Sequence, residues 1–558
     1  MKKVFDFTKE ENFFSSEFSD DFHLIYKDSF IDFSKLLDQS CAITNSDNIY
    51  WWISSSASRR ELQSSLYRNY CIIKLIFFLH KDDRLPSKII LPDPVLKSII
   101  LNSLDMSNID IKIEIQKTDL KHIITNFFRP INFLLNKIFQ ALFIKIKFSK
   151  PSTLKNYVIA ETFIAPDGIQ DRYYPKINTF WNKQSAELIF VPTIINFRVL
   201  KIMQFLKNLH LLKDEYFYKE LLLSFSEILR ASFYLRRIKR ISCEDVNIFF
   251  YNYECNLTPL LNESLSSETF SSLSAEGLLN YFFIKKLKTQ GYDLDAYIDW
   301  WENTSMDKGA NFGINKFFGK HLSKGYMAFV PNEYAFELSP SDGEIKAGTI
   351  PSLIGVMGNI FLNLPQRISN LQSTVLAPAL RFQHIFERPN VYKSDGNKKI
   401  LIILPAYYDQ AINIISMIVS AEKKLASEGV IIKSHPALNM IEDFKKIVHP
   451  KVKIDNNSPI SVLLEQSYVV ITGGSSVAIE SIIHKVPVIN LHPNKFPYIN
   501  LMPENAPKEL YSVCANSEEL MDCINQYKKN EENIYNHEIK ADEYFCEPNA
   551  ENVSAFFA

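Results

Sequence analysis

The sequence predicts an α/β protein built from parallel sheets covered on both faces by helices, with its chemistry at the carboxyl ends of the strands. Three stretches carry that reading. Val430-Ile431-Ile432-Lys433 is a short apolar run that stops at Ser434-His435-Pro436. Val469-Val470-Ile471-Thr472 is a second, stopping at Gly473-Gly474-Ser475-Ser476, and Val486 to Asn490 is a third. A helical pattern from Val477 to Lys485 separates the last two. Apolar strands of four to six residues alternating with amphipathic helices argue a doubly covered parallel sheet, in which ligands sit beyond the strands' carboxyl ends.

The Gly473-Gly474-Ser475-Ser476 turn is the first candidate site. Two glycines permit a tight turn, and the helix after them presents backbone N–H groups and two hydroxyls in one direction, so a phosphate is the expected guest. Ala478, Ile479, Ile482 and Ile483 form the buried stripe of that helix. Ser476, Glu480 and His484 follow at four-residue steps on its other side, which sets the Glu480 carboxylate where it can accept ribose hydroxyls. An ordinary serine-capped turn explains the same residues, and His435-Pro436 is the companion that favours the anion site.

Composition narrows the class. The chain has 558 residues, 46% of them hydrophobic, enough for several domains with large cores. A formal net charge of -1 gives no sign of a nucleic-acid partner. The seven cysteines include no C-x-x-C pair, which fits a reducing compartment rather than a zinc or disulfide framework. The opening MKKVFDFTKEENFF carries acids where a signal peptide needs an apolar core, and no apolar run is long enough to span a bilayer. A cytoplasmic protein is expected.

Residues 1–125 read as the first part of an N-terminal lobe, with strands at Asn48–Ser54, Lys88–Leu91 and Ile109–Ile115 and a helix from Ser55 to Leu79. Residues 126–150 differ from their surroundings: they contain no acid, five basic residues and a dense set of Phe, Leu and Ile. Two readings stand open for them, a helix lying in an anionic membrane surface on the cytoplasmic face of the inner membrane, or a core helix docked between lobes. Residues 151–390 complete the first lobe with strands at Tyr157–Ala165 and Glu187–Val191, the second closed by Pro192, and helices across Phe197–Arg240. Asp171-Arg172 followed by aromatics is a candidate substrate contact, with a structural ion pair as the commoner explanation. Glu387 to Lys398 is the polar boundary before a second lobe at 391–510. Residues 511–558 are expected to cross back to the first lobe as helices.

A second candidate site lies at Tyr297 to Lys308. A strand-like run ends at Trp300-Trp301-Glu302-Asn303, so Glu302 should face a cleft. Indoles beside a carboxyl exclude water from it, which suits a base working near neutral pH. The alternative is that Glu302 caps the next helix and pairs with Lys308. Glu333, Glu337 and Glu344 are further acids on the expected rim.

Together these residues resemble a known family. Two Rossmann-like lobes with a nucleotide site in the second are similar to the GT-B glycosyltransferase architecture. His435-Pro436 followed by Ser475-Ser476 resembles the motifs of bacterial transferases that use CMP-activated sugars: sialyltransferases, polysialyltransferases and the Kdo transferases of surface-polysaccharide assembly. Trp301-Glu302-Asn303 is similar to the W-E-D-G element of capsule Kdo transferases, with Asn303-Thr304 in place of Asp-Gly. The resemblance implies transfer of a nonulosonic or Kdo-like acid from a CMP donor to a glycan or lipid-linked glycan of capsule, O-antigen or lipooligosaccharide. It implies that His435, Pro436, Gly473, Gly474, Ser475, Ser476 and Glu480 hold the nucleotide and that Glu302, with His435, is catalytic. Asn303 and either Arg172 or Arg381 would meet the sugar, the arginine taking its carboxylate. No cofactor and no metal is required, since no D-x-D motif stands at a strand end. Two rivals are a UDP-sugar or CDP-polyol transferase or epimerase of the same fold, and a non-catalytic scaffold of polysaccharide assembly.

Overall fold

A computed structural model describes residues 3–9, 12–41, 47–60, 63–106, 108–115, 120–153, 155–164, 173–181, 186–195, 216–243, 245–332, 334–387, 398–405, 408–425, 429–435, 452–491, 501–503, 506–529 and 539–557. Three parallel sheets organise the described residues. The first has three strands in the order β1 (Val4–Asp6), β2 (Lys88–Leu91), β3 (Asp110–Ile113). The strands of residues 1–125 thus form a sheet of their own beside the first large lobe. Their core is rich in rings, with Phe30 stacked on Phe336 at 4.3 Å between centroids.

The second sheet contains β4 (Asn156–Ile164), β5 (Glu187–Ile194), β8 (Asp293–Trp300), β9 (Ser323–Met327), β10 (Leu353–Val356) and β11 (Ser373–Leu376). An antiparallel hairpin, β6 (Asn247–Phe250) and β7 (Tyr253–Asn256), intervenes in the chain. The sheet order is β11-β10-β9-β8-β4-β5, every pair parallel. Alternation along the strands splits the core into two faces: Tyr157, Ile159 and Tyr297 point one way, and Val158, Ala160, Ile298 and Trp300 the other.

The third sheet contains β12 (Lys399–Ile403), β13 (Val430–Lys433), β14 (Lys453–Ile454), β15 (Ser467–Thr472), β16 (Val488–Leu491) and β17 (Tyr511–Cys514), in the order β14-β13-β12-β15-β16-β17 and again wholly parallel. Counted from β12 this is 3-2-1-4-5-6, the Rossmann order. The second sheet, counted from β4, runs 2-1-3-4-5-6, which begins in the flavodoxin-like manner. Ligands of such sheets sit where the order reverses, between β12 and β15 in one lobe and between β4 and β8 in the other.

Two doubly wound lobes in tandem are the GT-B arrangement, and the end of the chain joins them. Phe545 stacks on Phe382 at 4.3 Å, and the Ala379 N–H donates to the Cys546 carbonyl at 2.8 Å. The helix Ala550–Phe557 then buries Val553, Phe556 and Phe557 against the second sheet.

Four sequence expectations are corrected. Residues 511–558 are not all helix, since Tyr511–Cys514 pairs in parallel with β16 as the last strand of the third sheet. The helix expected from Ser55 to Leu79 is two, Ser55–Ser58 and Leu66–Lys81, parted where Arg59 turns left-handed. Residues 48–54 hold a helical turn, Ile49–Trp52, whose first N–H groups are capped when Asn48 accepts from the Tyr50 N–H at 3.1 Å. Trp51 and Trp52 are both buried, so the run has two inward neighbours instead of the alternation a strand would show. Pro192 does not close β5, which continues to Ile194. The strand lies at the end of the sheet order, where proline's missing N–H is tolerated.

Candidate functional site

At the first lobe's reversal point, β8 ends at Trp300 and the chain turns through Trp301-Glu302-Asn303-Thr304 into the helix Ser305–Phe317. Asn303 takes a left-handed conformation, φ 53°, to make the turn. The turn is held by Asp307, whose Oδ2 accepts the backbone N–H of both Glu302 and Thr304 at 2.9 Å. Burial raises the pKa of Asp307 and of neighbouring Asp299; the Asp307 charge raises Asp299 further, and the charges of Glu161 and Glu302 raise Asp307.

Glu302 stands outside this support with its side chain 37% exposed. Its Oε1 accepts the Trp300 indole N–H at 3.2 Å, and its Oε2 lies 3.6 Å from the Arg60 guanidinium. The water exclusion expected from the tryptophans is therefore incomplete: Trp301 is buried in the core, and Trp300 offers Glu302 a hydrogen bond. Nor does Glu302 pair with Lys308. Lys308 is wholly buried and bound to Glu344 at 2.8 Å.

Arg60 also reaches Glu337 at 3.5 Å, so one guanidinium spans two carboxylates. Burial raises the pKa of Glu337 against the pull of Arg60, and the charge of Glu302 raises it further. Beneath them Glu344 joins Arg59 and Lys308 in a buried cluster. Burial opposes its charge, but the two cations prevail and its pKa is lowered. Asn303, expected to meet substrate, belongs to this cluster instead: it is 1% exposed and its amide donates to the Glu337 carbonyl at 2.6 Å and to Glu344 at 3.3 Å. It holds the loop that carries Glu302.

At the second lobe's reversal point, β12 ends at Ile403 and β15 at Thr472, whose hydroxyl donates to the Ile403 carbonyl at 3.1 Å. The Gly473-Gly474-Ser475-Ser476 turn begins there. A Cβ on Gly473 would come within 2.8 Å of Ile414, on the helix Tyr408–Leu425, and Gly474 needs a φ of 67°. Gly474 is also fixed by its N–H, which donates to Asn490 at 3.3 Å from the end of β16. Ser475 Oγ accepts the Val477 N–H at 3.4 Å, and Ser476 occupies the cap position of the helix Val477–Ile483 without a side-chain capping bond. Both serines are half-buried. His435 is exposed just past the end of β13, where the preceding Ser434 N–H donates to Asn456 at 2.8 Å. Pro436 and Arg172 lie outside the described residues. Tyr173, next to Arg172, sets its ring on Trp300 at 4.6 Å.

Glu480 is not open to a ribose. It is buried, and its Oε2 is bonded to His384 Nε2 at 2.7 Å. Burial opposes charge on His384, but the bond and charge of Glu480 and a bond to the Arg381 backbone raise its pKa. Arg381 in turn lies over the Trp300 ring, 5.5 Å from its centroid. The stretch Arg381 to His384 thereby touches the strand that carries Glu302 and the helix that follows the serine turn. His384, Arg60 and Glu337's link to Glu302 were not anticipated. Their partners are 96, 242 and 35 positions away in sequence, and no spacing rule reaches so far.

Among the described residues no group of three or more His, Cys, Asp or Glu side chains is placed to hold a metal ion. No described helix is long and apolar enough to cross a membrane.

No protein-family model matches the chain. No curated protein matches it either. Among solved structures, S. aureus MnaA with UDP has a TM-score of 0.41 at 13% identity, covering 71% of this chain and 94% of that one. The UDP-GlcNAc 2-epimerase from Methanocaldococcus jannaschii has 0.41 at 12%, covering 71% and 98%. The glycosyltransferase SnogD from Streptomyces nogalater has 0.36 at 8%, covering 72% and 98%. Similarity of this degree leaves the functional argument to rest on the site itself.

Proposed function

We propose that this chain is a nucleotide-sugar enzyme that transfers a nonulosonic or Kdo-like acid from a CMP donor to a surface glycan. The observation that supports it is the linkage of two reversal points: a Gly-Gly-Ser-Ser turn at the end of β15 and a carboxylate at the end of β8, joined through His384, Arg381 and Trp300.

In this reading the donor phosphate lies on the turn, taking hydrogen bonds from the Ser475 and Ser476 hydroxyls and the backbone N–H groups, with His435 as a further donor. These groups stabilise the negative charge that develops on CMP as its bond to the anomeric carbon breaks. Glu302 removes the proton of the acceptor hydroxyl as that oxygen forms the new bond to the same carbon. In the same reading Arg381, exposed above Trp300, takes the carboxylate of the transferred sugar.

A second reading is favoured by one observation, the two carboxylates Glu302 and Glu337 on a single guanidinium. An acid and a base of different environment are what epimerisation of a UDP-sugar needs. Heat protection separates the two readings. Stabilisation by CMP with none by UDP supports the transferase, and the reverse result sinks it in favour of the UDP-sugar enzyme.

A further inference from the structure

The helix Leu120–Lys147 has two unlike sides. One is seated in the first lobe: Lys137, Gln140, Ala141 and Ile144 are buried, and Lys137 is held by Glu276 at 2.5 Å. The other shows Phe127, Phe128, Ile131, Leu135, Leu142 and Ile146 to solvent, with Phe127 71% and Ile146 77% exposed. Steps of three, four and seven keep these side chains on one line, which at 1.5 Å per residue runs for roughly 30 Å. Soluble surfaces seldom leave a continuous apolar stripe of this length uncovered.

Charge indicates what covers it. The helix contains no acidic residue, and Arg129, Lys145 and Lys147 are exposed on it. Beside it packs the helix Phe225–Ser232, tied by the Lys145 ammonium donating to the Leu223 carbonyl at 2.8 Å. That helix adds exposed Phe225 and Leu229, one turn apart. It leads into exposed Arg230, Arg236, Arg237, Lys239 and Arg240. A second copy of the chain meeting this face in a symmetric dimer would set the same cations against themselves. A sheet of anionic headgroups over acyl chains matches both parts, the stripe entering the apolar boundary and the arginines staying among the headgroups.

We infer that the exposed face of Leu120–Lys147, with Phe225–Ile241 beside it, docks on an anionic lipid bilayer. The same helix lines a cavity of about 460 Å³ with Asn132, Asn136 and Gln140, reaching Thr193 and Ile194 at the carboxyl end of β5. If the transferase reading holds, docking sets this cavity beside a membrane-borne acceptor. That consequence rests on the reading; the docking itself does not.

Flotation of the full chain with vesicles tests it, using phosphatidylcholine alone and phosphatidylcholine mixed with phosphatidylglycerol. The protein should float with the mixed vesicles and stay down with the neutral ones, and added salt should weaken the effect. Phe127→Glu/Phe128→Glu, at exposed positions, should lower vesicle affinity about tenfold or more with an unchanged circular dichroism spectrum and melting temperature. Arg236→Glu/Arg237→Glu should remove the preference for anionic lipid. Failure of the wild type to float with mixed vesicles overturns the inference. So does equal flotation of the phenylalanine variant, or a dimer that this variant splits in sedimentation while vesicles are ignored. Nucleotide is absent throughout, so the result stands apart from the donor question.

Discussion

The two reversal points are built from opposite materials. The first, around Glu302, is crowded with charge: Glu302 and Arg60 part-exposed with Glu337 buried beside them, Arg59, Glu344 and Lys308 below, and Asp299 and Asp307 behind the turn. The second, around Ser475, is nearly neutral, made of two glycines, two hydroxyls and backbone fixed by Asn490. A site that stores and moves protons needs groups whose environments hold their pKa values apart, whereas a site that holds a phosphate needs donors at fixed places and little else. In the proposed reading the first lobe carries the chemistry and the second anchors the donor.

The largest test of that division is Glu302→Gln. As the base, Glu302 should account for a 10²- to 10⁴-fold share of turnover, on the order of what general bases contribute, while nucleotide affinity stays within about twofold. Parallel loss of turnover and affinity in that variant would erase the distinction between the lobes.

Glu344→Ala comes next. It leaves the buried Arg59 and Lys308 without their carboxylate, and breaking such a cluster costs about 3–5 kcal/mol. Chemical denaturation should show the loss, and a change under 1 kcal/mol would mean that the cluster does not support the Glu302 loop.

Glu161 sharpens the comparison through pH. It is buried on β4, accepting from Tyr297 at 2.7 Å and Asn280 at 2.8 Å, and burial pushes its pKa from 4.5 up to about 7. The folded chain thus keeps this proton where the unfolded chain loses it. Its contribution is full below pH 4.5 and is lost as the pH rises through 7, about 3 kcal/mol in all. Glu161→Gln should flatten that part of the stability profile between pH 4.5 and 7; an unchanged slope would assign it elsewhere.

The smallest effect is expected at the lobe junction. His384→Ala removes the bond to Glu480, whose strength depends on protonated histidine, its pKa raised in the fold. Wild type should therefore lose this contribution as the pH rises above the ordinary histidine range, and the variant should lack that step. Titration of the two proteins by thermal melting checks it.

What the sequence disclosed follows the same line. Strands β13, β15 and β16 were legible because strands buried on both faces need unbroken Val and Ile, and the ends of the first two were marked by Ser and His and by Gly. The serine turn was legible as a local arrangement, complete within a few residues. Glu302 was found at a strand end, but its surroundings were not: Arg60 comes from before β2, and Glu337 and Glu344 from beyond β9. Glu480 was placed on the outer side of its helix by periodicity, yet His384, from the short helix before the linker, covers that side. Trp51-Trp52 read as strand because aromatics favour strands, and tertiary burial on both sides made it helix. Local rules reached the serine turn and stopped short of the Glu302 cluster, whose parts come together only by folding.

The most direct test of the central claim is calorimetric titration of CMP and UDP into the wild type and into Ser475→Ala/Ser476→Ala. CMP should bind the wild type, and the double variant should bind it at least about tenfold more weakly, the worth of one charge-assisted hydrogen bond. Equal CMP affinity in the two proteins, or no nucleotide binding to either, would contradict the claim.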